Sequence, residues 1–158
     1  MPLLSPGDAF PDLEISKVGG GMIDLPGDLL GRWGVVLVNR GSWCPFCNTQ
    51  LAAFQRAQER LDSIGIGVVS FSVDDEAAAA GVIDKHKLTF PIGYGADADH
   101  VGATLGAFVN PEPRYLQATG FVLDPEGKVA VSVYSSGAIG RLMPDDVAGM
   151  VEYAKSQA

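Results

Sequence analysis

The sequence has few cysteines and no long apolar run. Only two cysteines occur in 158 residues, at positions 44 and 47, so no disulfide can connect distant parts of the chain. The first residues lack the basic and apolar segments of a secretory signal peptide. No stretch approaches the ~20 apolar residues that a membrane-spanning helix needs. We therefore predict a cytoplasmic protein, in a compartment that keeps thiols reduced.

Positive charge is also scarce. The 11 lysines and arginines stand against 19 acidic residues, which gives a net charge of −8 spread along the chain. Such a surface repels phosphate backbones and anionic lipids, so neither nucleic acid nor a membrane is an expected partner. With 47% hydrophobic residues the chain can bury a core. Since it has no low-complexity tract or linker, we predict a single domain over residues 1–158.

Strand and helix patterns alternate along the chain. Apolar alternation around three glycines predicts a β-hairpin in residues 10–25, and the β-branched runs 35–38 and 68–73 predict buried strands. A second hairpin is predicted from residues 121–123 and 129–134. Four helices are expected: from the cysteines to residue 64, from Asp74 or Asp75 to about residue 87, over residues 97–107, and from near Pro144.

Two segments complete this pattern. Residues 90–92 are expected to be a short strand or extended segment, and residues 110–117, with two prolines, a loop. The order of elements predicts an α/β fold: a central mixed β-sheet with helices on both faces and an N-terminal β-hairpin extension.

The two cysteines form a C-x-x-C motif, Cys44-Pro45-Phe46-Cys47, between a buried strand and a helix. A thiolate at a helix N-terminus faces unpaired N–H groups, which lowers its pKa from ~8.5 into a range of roughly 3.5 to 7.5. Pro45 suits the first helical position because no N–H is needed there. The second sulfur, one turn further in, can close a disulfide and release a bound partner. The motif therefore predicts redox chemistry.

Three other interpretations of the cysteines are weaker. The pair can be two inert buried residues at this spacing by chance. A zinc site needs about four ligands, and the chain adds only His86 and His100, neither of which the sequence places near the motif. A metal cluster shared between two chains is also less expected, so no metal is predicted.

Two neighbours of the motif can support it. Arg40 precedes Cys44 by four residues and can lower a thiol pKa, although it can equally be a surface residue at a strand end. Trp43 can shield the first sulfur and offer a flat apolar surface to a partner, or it can fill the core.

Several segments in the right order resemble the alkyl hydroperoxide reductase / thiol-specific antioxidant (AhpC/TSA) family of peroxiredoxin-like proteins, which have a thioredoxin-like fold. Residues 6–12 resemble the family's opening segment, residues 72–74 its SvD, and residues 88–91 its FPll stretch. Residues 121–128, FVLDPEGK, closely follow its FviDpdGki, and Gly140-Arg141 followed by two aspartates resembles its GR…dE.

The motif departs from the usual family pattern. When the strands are aligned, Cys47 falls on the family's peroxide-reacting cysteine and Cys44 on its threonine, and residues 117–120 occupy the region of its arginine. Arg40, Arg114 or Arg141 can replace that arginine. Trp43-Cys44 resembles thioredoxin and Cys-Pro-Phe46-Cys resembles glutaredoxin, yet neither family's cis-proline is present near Ala118. Residues 40–48 match the R-G-x-W-C-P-[FY]-C-N motif of one peroxiredoxin-like subfamily.

The resemblance implies a thiol-dependent peroxidase that reduces hydroperoxides through an intramolecular disulfide and needs no cofactor. A thioredoxin- or glutaredoxin-like disulfide reductase and a non-catalytic redox sensor or adaptor are the alternatives. Thioredoxin, glutaredoxin or a low-molecular-weight thiol is the expected reductant, and a homodimer is compatible with the family. Either cysteine can attack; we favour Cys44, as the more accessible sulfur at the helix mouth, with Cys47 resolving.

Overall fold

The N-terminal hairpin follows directly from alternating burial. In the computed structural model, which describes residues 3–158, the strands Leu13–Lys17 (β1) and Met22–Leu25 (β2) pair antiparallel. Leu13, Ile15 and Ile23 are buried, whereas the neighbouring Glu14 and Asp24 are exposed. This confirms the predicted hairpin.

One seven-stranded mixed sheet forms the centre of the molecule. After β1 and β2 the strands of the protein are β3 Trp33–Val38, β4 Ile66–Phe71, β5 Ile92–Tyr94, β6 Val109–Pro111, β7 Arg114–Leu116, β8 Thr119–Leu123 and β9 Val129–Tyr134. The order of strands in the sheet is β2-β1-β5-β4-β3-β8-β9. Strand β3 pairs in parallel with β4 and antiparallel with β8, so it lies inside the sheet and is buried on both faces.

Helices cover both faces of the sheet, as predicted. The helices are α1 Pro45–Arg56, α2 Gln58–Ile64, α3 Glu76–His86, α4 Ala98–Leu105 and α5 Pro144–Ser156. Val35 and Leu37 of β3 pack beneath helices α1, α2, α3 and α5, whereas Val36 and Val38 pack with α4 and a short 3-10 turn on the other face. No helix within residues 3–158 is long and apolar enough to cross a bilayer.

Two predicted elements differ in the structure. The first long helix is broken at Ala57, which lies between α1 and α2; alanine is the strongest helix former, so nothing in the sequence marks this break. The expected loop over residues 110–117 is instead part of a hairpin, β6 paired antiparallel with β7. Strands of three residues containing a proline are too short to show alternation.

Strand directions bring four segments to one edge of the sheet. Strands β3 and β4 are parallel, so the chain leaves both at this edge; the antiparallel β8 begins there, and β9, which is antiparallel to β8, ends there. Hydrogen bonds join these segments: the Asn39 N–H donates to the Phe71 carbonyl, and the Ser135 N–H donates to the Ala118 carbonyl. The cysteine motif follows β3 at this edge.

Candidate active site

Cys44 is the N-cap residue of α1. Its extended backbone lets its sulfur accept a hydrogen bond from the Cys47 N–H at 3.2 Å, and Pro45 occupies the first helical position, as expected from the sequence. Cys47 lies in the first turn of the helix. Both cysteines have 0% exposure. The structure therefore does not show Cys44 to be the more accessible of the two sulfurs, as we expected from the sequence.

Two guanidinium groups contact the buried thiols. Arg141 Nη2 lies 3.0 Å from the Cys47 sulfur and 3.5 Å from the Cys44 sulfur. Arg40 Nη1 lies 3.7 Å from the Cys44 sulfur, and the Arg40 backbone N–H donates to the Cys47 sulfur at 3.2 Å. The structure thus brings both sequence-predicted arginines to the motif.

Neutral side chains hold both arginines in place. Gln50, which is buried, accepts from Arg141 Nη1 at 2.8 Å and donates to the Leu142 carbonyl. Gln117, also buried, accepts from Arg40 Nε at 3.0 Å. Neither arginine forms an ion pair with a carboxylate in the described part of the chain. Their positive charge is therefore available to the thiols.

The two thiols differ in acidity. Burial raises the pKa of Cys44, but hydrogen bonds from the Cys47 thiol, the Cys47 N–H and Arg40, with the charge of Arg141, outweigh burial and lower the pKa. Burial and the hydrogen bond that Cys47 donates to Cys44 raise the pKa of Cys47 to about 11. A thiolate is thus favoured on Cys44, with Cys47 as its protonated neighbour.

Aromatic side chains surround Arg40. Its guanidinium carbon lies 5.0 Å from the centre of the Trp43 ring and 5.3 Å from that of Tyr115, whose hydroxyl accepts from Arg40 Nη2 at 3.1 Å. Trp43 is 54% exposed and Phe46 49% exposed. Trp43 therefore does not fill the core; it forms part of the surface beside Cys44.

The structure also shows where the other residues and segments considered in the sequence analysis lie. Arg114 does not fold back to the motif, because it pairs with Asp99 on the surface at 2.7 Å. The loop after β9 positions Arg141, whose Nε donates to the Ala138 carbonyl. His86, which the sequence does not place near the motif, lies 2.8 Å from the side chain of Asn48, the residue after Cys47. Within residues 3–158 no three potential metal ligands cluster.

The sequence did not identify Gln50, Tyr115 or the supporting role of Gln117. Gln50 had a detectable signal, because it lies one helical turn after Cys47. Gln117 also had a signal, because residues 117–120 occupy the region of the family's arginine. Tyr115 had none, because only the β6–β7 hairpin brings it to Arg40.

The arrangement defines a class of protein: an α/β protein with a redox-capable dithiol at the N-terminus of a helix. Comparison with known proteins supports this class. The AhpC/TSA family model matches residues 6–132. A peroxiredoxin of Chlorobaculum tepidum is 34% identical over 151 residues, 92% of this chain and 69% of that protein. A peroxiredoxin of Treponema denticola is 33% identical over 153 residues, 93% of this chain and 71% of that protein.

Solved structures show the same fold. The peroxidoxin BcpB of Mycobacterium tuberculosis superposes with a TM-score of 0.82 at 19% identity, covering 95% of this chain and 97% of that one. The AhpC of Mycobacterium tuberculosis gives 0.80 at 22% identity, covering 99% and 96%. The chain therefore has the thioredoxin-like fold predicted from its sequence, and it belongs to the AhpC/TSA family of peroxiredoxin-like proteins.

Proposed function

We propose that this protein is a thiol peroxidase that reduces hydroperoxides through an intramolecular disulfide between Cys44 and Cys47. The single observation that carries the proposal is the buried Cys44 sulfur, held at a helix N-terminus with guanidinium nitrogens of Arg40 and Arg141 at 3.7 and 3.5 Å. Its family and its peroxiredoxin relatives support the same activity.

In the proposed reaction Cys44 is the attacking thiolate. Its sulfur bonds to the terminal peroxide oxygen as the O–O bond breaks, which leaves a sulfenic acid on Cys44; the other oxygen leaves with the electron pair, takes up a proton from solvent and is released as an alcohol or water. Negative charge develops on the leaving oxygen, and the positive charges of Arg40 and Arg141 stabilise it. Because neither sulfur is exposed, the peroxide enters only after a local shift of the side chains around Cys44.

Cys47 then resolves the intermediate. Its thiol loses its proton, its sulfur bonds to the Cys44 sulfur, and the sulfenic oxygen leaves as water. The raised pKa of Cys47, to about 11, keeps this second thiol protonated until Cys44 has reacted. Two protein thiols thus supply the two electrons that reduce one peroxide.

Stopped-flow oxidation of the reduced protein by hydrogen peroxide and by an organic hydroperoxide tests this proposal. We expect oxidation much faster than that of free cysteine. The variant Cys44→Ser should lose turnover and yield no trappable sulfenic acid, whereas Cys47→Ser should accumulate sulfenic acid on Cys44, visible by mass spectrometry. A sulfenic acid on Cys47 in Cys44→Ser would reverse the two roles.

A disulfide reductase is the second candidate, favoured by the exposed apolar surface of Trp43 and Phe46 beside the motif. Reduction of insulin disulfides measures this activity. If the protein reduces insulin disulfides and its thiols react with peroxides no faster than free cysteine does, it is a disulfide reductase. Inactivity in both assays would leave a redox sensor or adaptor.

The reductant belongs to the same proposal. A thioredoxin-type protein, a glutaredoxin or a small thiol must reduce the Cys44–Cys47 disulfide after each turnover, because the cycle otherwise stops. The single domain over residues 1–158, the cytoplasmic location and a homodimer stay predictions. Light scattering of the purified protein measures the oligomeric state.

A further inference from the structure

A cleft of about 470 Å³ opens beside the cysteine motif. It lies between helix α1 and the end of α3, and a contact of 2.8 Å between Asn48 Oδ1 and His86 Nε2 joins its two walls. Trp43 and Pro45, the two neighbours of Cys44, line the cleft at its end nearest the motif. Its volume is in the range of small-molecule sites.

The cleft is positively charged in an acidic protein. Arg56 and Lys85 line it, and no acidic residue does, although the chain carries 19 acids against 11 bases. Within residues 3–158 neither Arg56 nor Lys85 forms an ion pair. Ser42, Asn48 and Thr49 add polar groups to the same walls. These features suit a small polar anion rather than an apolar ligand.

We propose that this cleft binds the reductant, and that the reductant is a low-molecular-weight thiol bearing a carboxylate. The inference rests on the proposed function only in requiring the Cys44–Cys47 disulfide. Arg56 and Lys85 bind the carboxylate and hold the thiol of the ligand beside Trp43 and Pro45. Because the Cys44 sulfur is not exposed, the thiol reaches it only after the same local shift of side chains around Cys44 that a peroxide requires.

The chemistry balances with two thiols. The first thiolate bonds to the Cys44 sulfur, the Cys44–Cys47 bond breaks, and Cys47 leaves as a thiolate that takes up a proton. A second thiol attacks the mixed disulfide, which releases the oxidised ligand disulfide and restores the Cys44 thiolate. The ligand thiols lose two electrons and the protein disulfide gains them.

The test starts from protein oxidised to the disulfide with diamide, so it does not depend on peroxidase activity. Glutathione and its glycine monoethyl ester are compared as reductants, because they share one thiol and differ by one carboxylate. The rate of disulfide reduction is followed by Trp43 fluorescence in a Trp33→Phe background. Glutathione should saturate at a lower concentration than the ester.

Removing the two bases should remove that difference. In the double variant Arg56→Gln/Lys85→Gln we expect the half-saturating glutathione concentration to rise by about three- to tenfold, as for exposed ion pairs, with the ester little affected. Lys128→Gln, on the turn at the opposite end of the sheet, is the control for general charge. An unchanged preference for glutathione in the double variant, or an equal effect of Lys128→Gln, would overturn the proposal. So would a disulfide that thioredoxin reduces and glutathione does not.

Discussion

At the scale of single residues, the site depends on which partners the two arginines have. A carboxylate beside Arg40 or Arg141 would neutralise the guanidinium that faces the thiols. The amide oxygens of Gln50 and Gln117 fix the same geometry without a negative charge. The positive potential at Cys44 therefore comes from the two arginines, and their neutral partners leave that charge uncompensated.

The variant Gln50→Glu tests this electrostatic role. It keeps the shape of the side chain but adds a carboxylate against Arg141, so the pKa of Cys44 should rise by roughly one unit. The pH dependence of Cys44 alkylation by iodoacetamide, read by mass spectrometry, measures the shift.

Gln55→Glu is the matched control, because Gln55 lies on the same helix and bonds to Thr89 away from the motif. If both variants alkylate with the same midpoint as the wild type, the neutral partner of Arg141 has no role in thiol acidity.

At the scale of elements, the turn between β3 and α1 sets the approach of Trp43 to Arg40. Gly41 has φ +152°, and a Cβ on it would lie 2.3 Å from Trp43 Nε1. The indole thus packs directly on the Gly41 backbone. This close approach requires glycine at position 41.

Gly41→Ala should therefore displace Trp43. We expect a loss of about 1–3 kcal/mol in the free energy of unfolding, measured by urea denaturation, because the new methyl group has no room. In a Trp33→Phe background the emission of Trp43 should also shift. Gly137→Ala in the loop after β9 is the control, since a Cβ there meets nothing within 4 Å. Equal stability of the two variants would contradict this explanation.

At the scale of the whole molecule, the dithiol couples folding to pH. An unfolded cysteine ionises near pH ~8.5, whereas burial and its bond to Cys44 raise the pKa of Cys47 to about 11 in the folded protein. Between these values unfolding releases a proton, so Cys47 makes the free energy of unfolding fall as pH rises. Cys44, whose pKa is lowered on folding, contributes its full stabilisation above pH ~8.5 and adds no slope in this window.

Urea denaturation of the reduced protein between pH 8.5 and 11 measures this coupling. The difference in unfolding free energy between the wild type and Cys47→Ser should shrink by up to about 1.4 kcal/mol per pH unit. Below pH 8 that difference should not follow this slope. A difference independent of pH across the alkaline window would mean that Cys47 ionises at its ordinary pKa in the folded state.

Most of the fold was predictable because its elements carry local signals. The β-branched runs of β3 and β4, the alternation of β1 and β2, and the caps of α3 and α4 are properties of neighbouring residues. The break at Ala57 and the β6–β7 hairpin were not predictable, because both depend on packing rather than on local preference.

The sequence by itself determined that this protein carries a dithiol at a helix N-terminus, because adjacent residues create the motif and its cap. It also determined that the chain resembles the AhpC/TSA family. Only the tertiary structure decided what surrounds the two sulfurs. Arg141 and Tyr115 are far from Cys44 in the chain; the loop after β9 brings Arg141 to the motif, and the separate β6–β7 hairpin brings Tyr115 there. The acidity of the Cys44 thiol thus comes from contacts across the fold, because electrostatic effects act through space and not along the sequence.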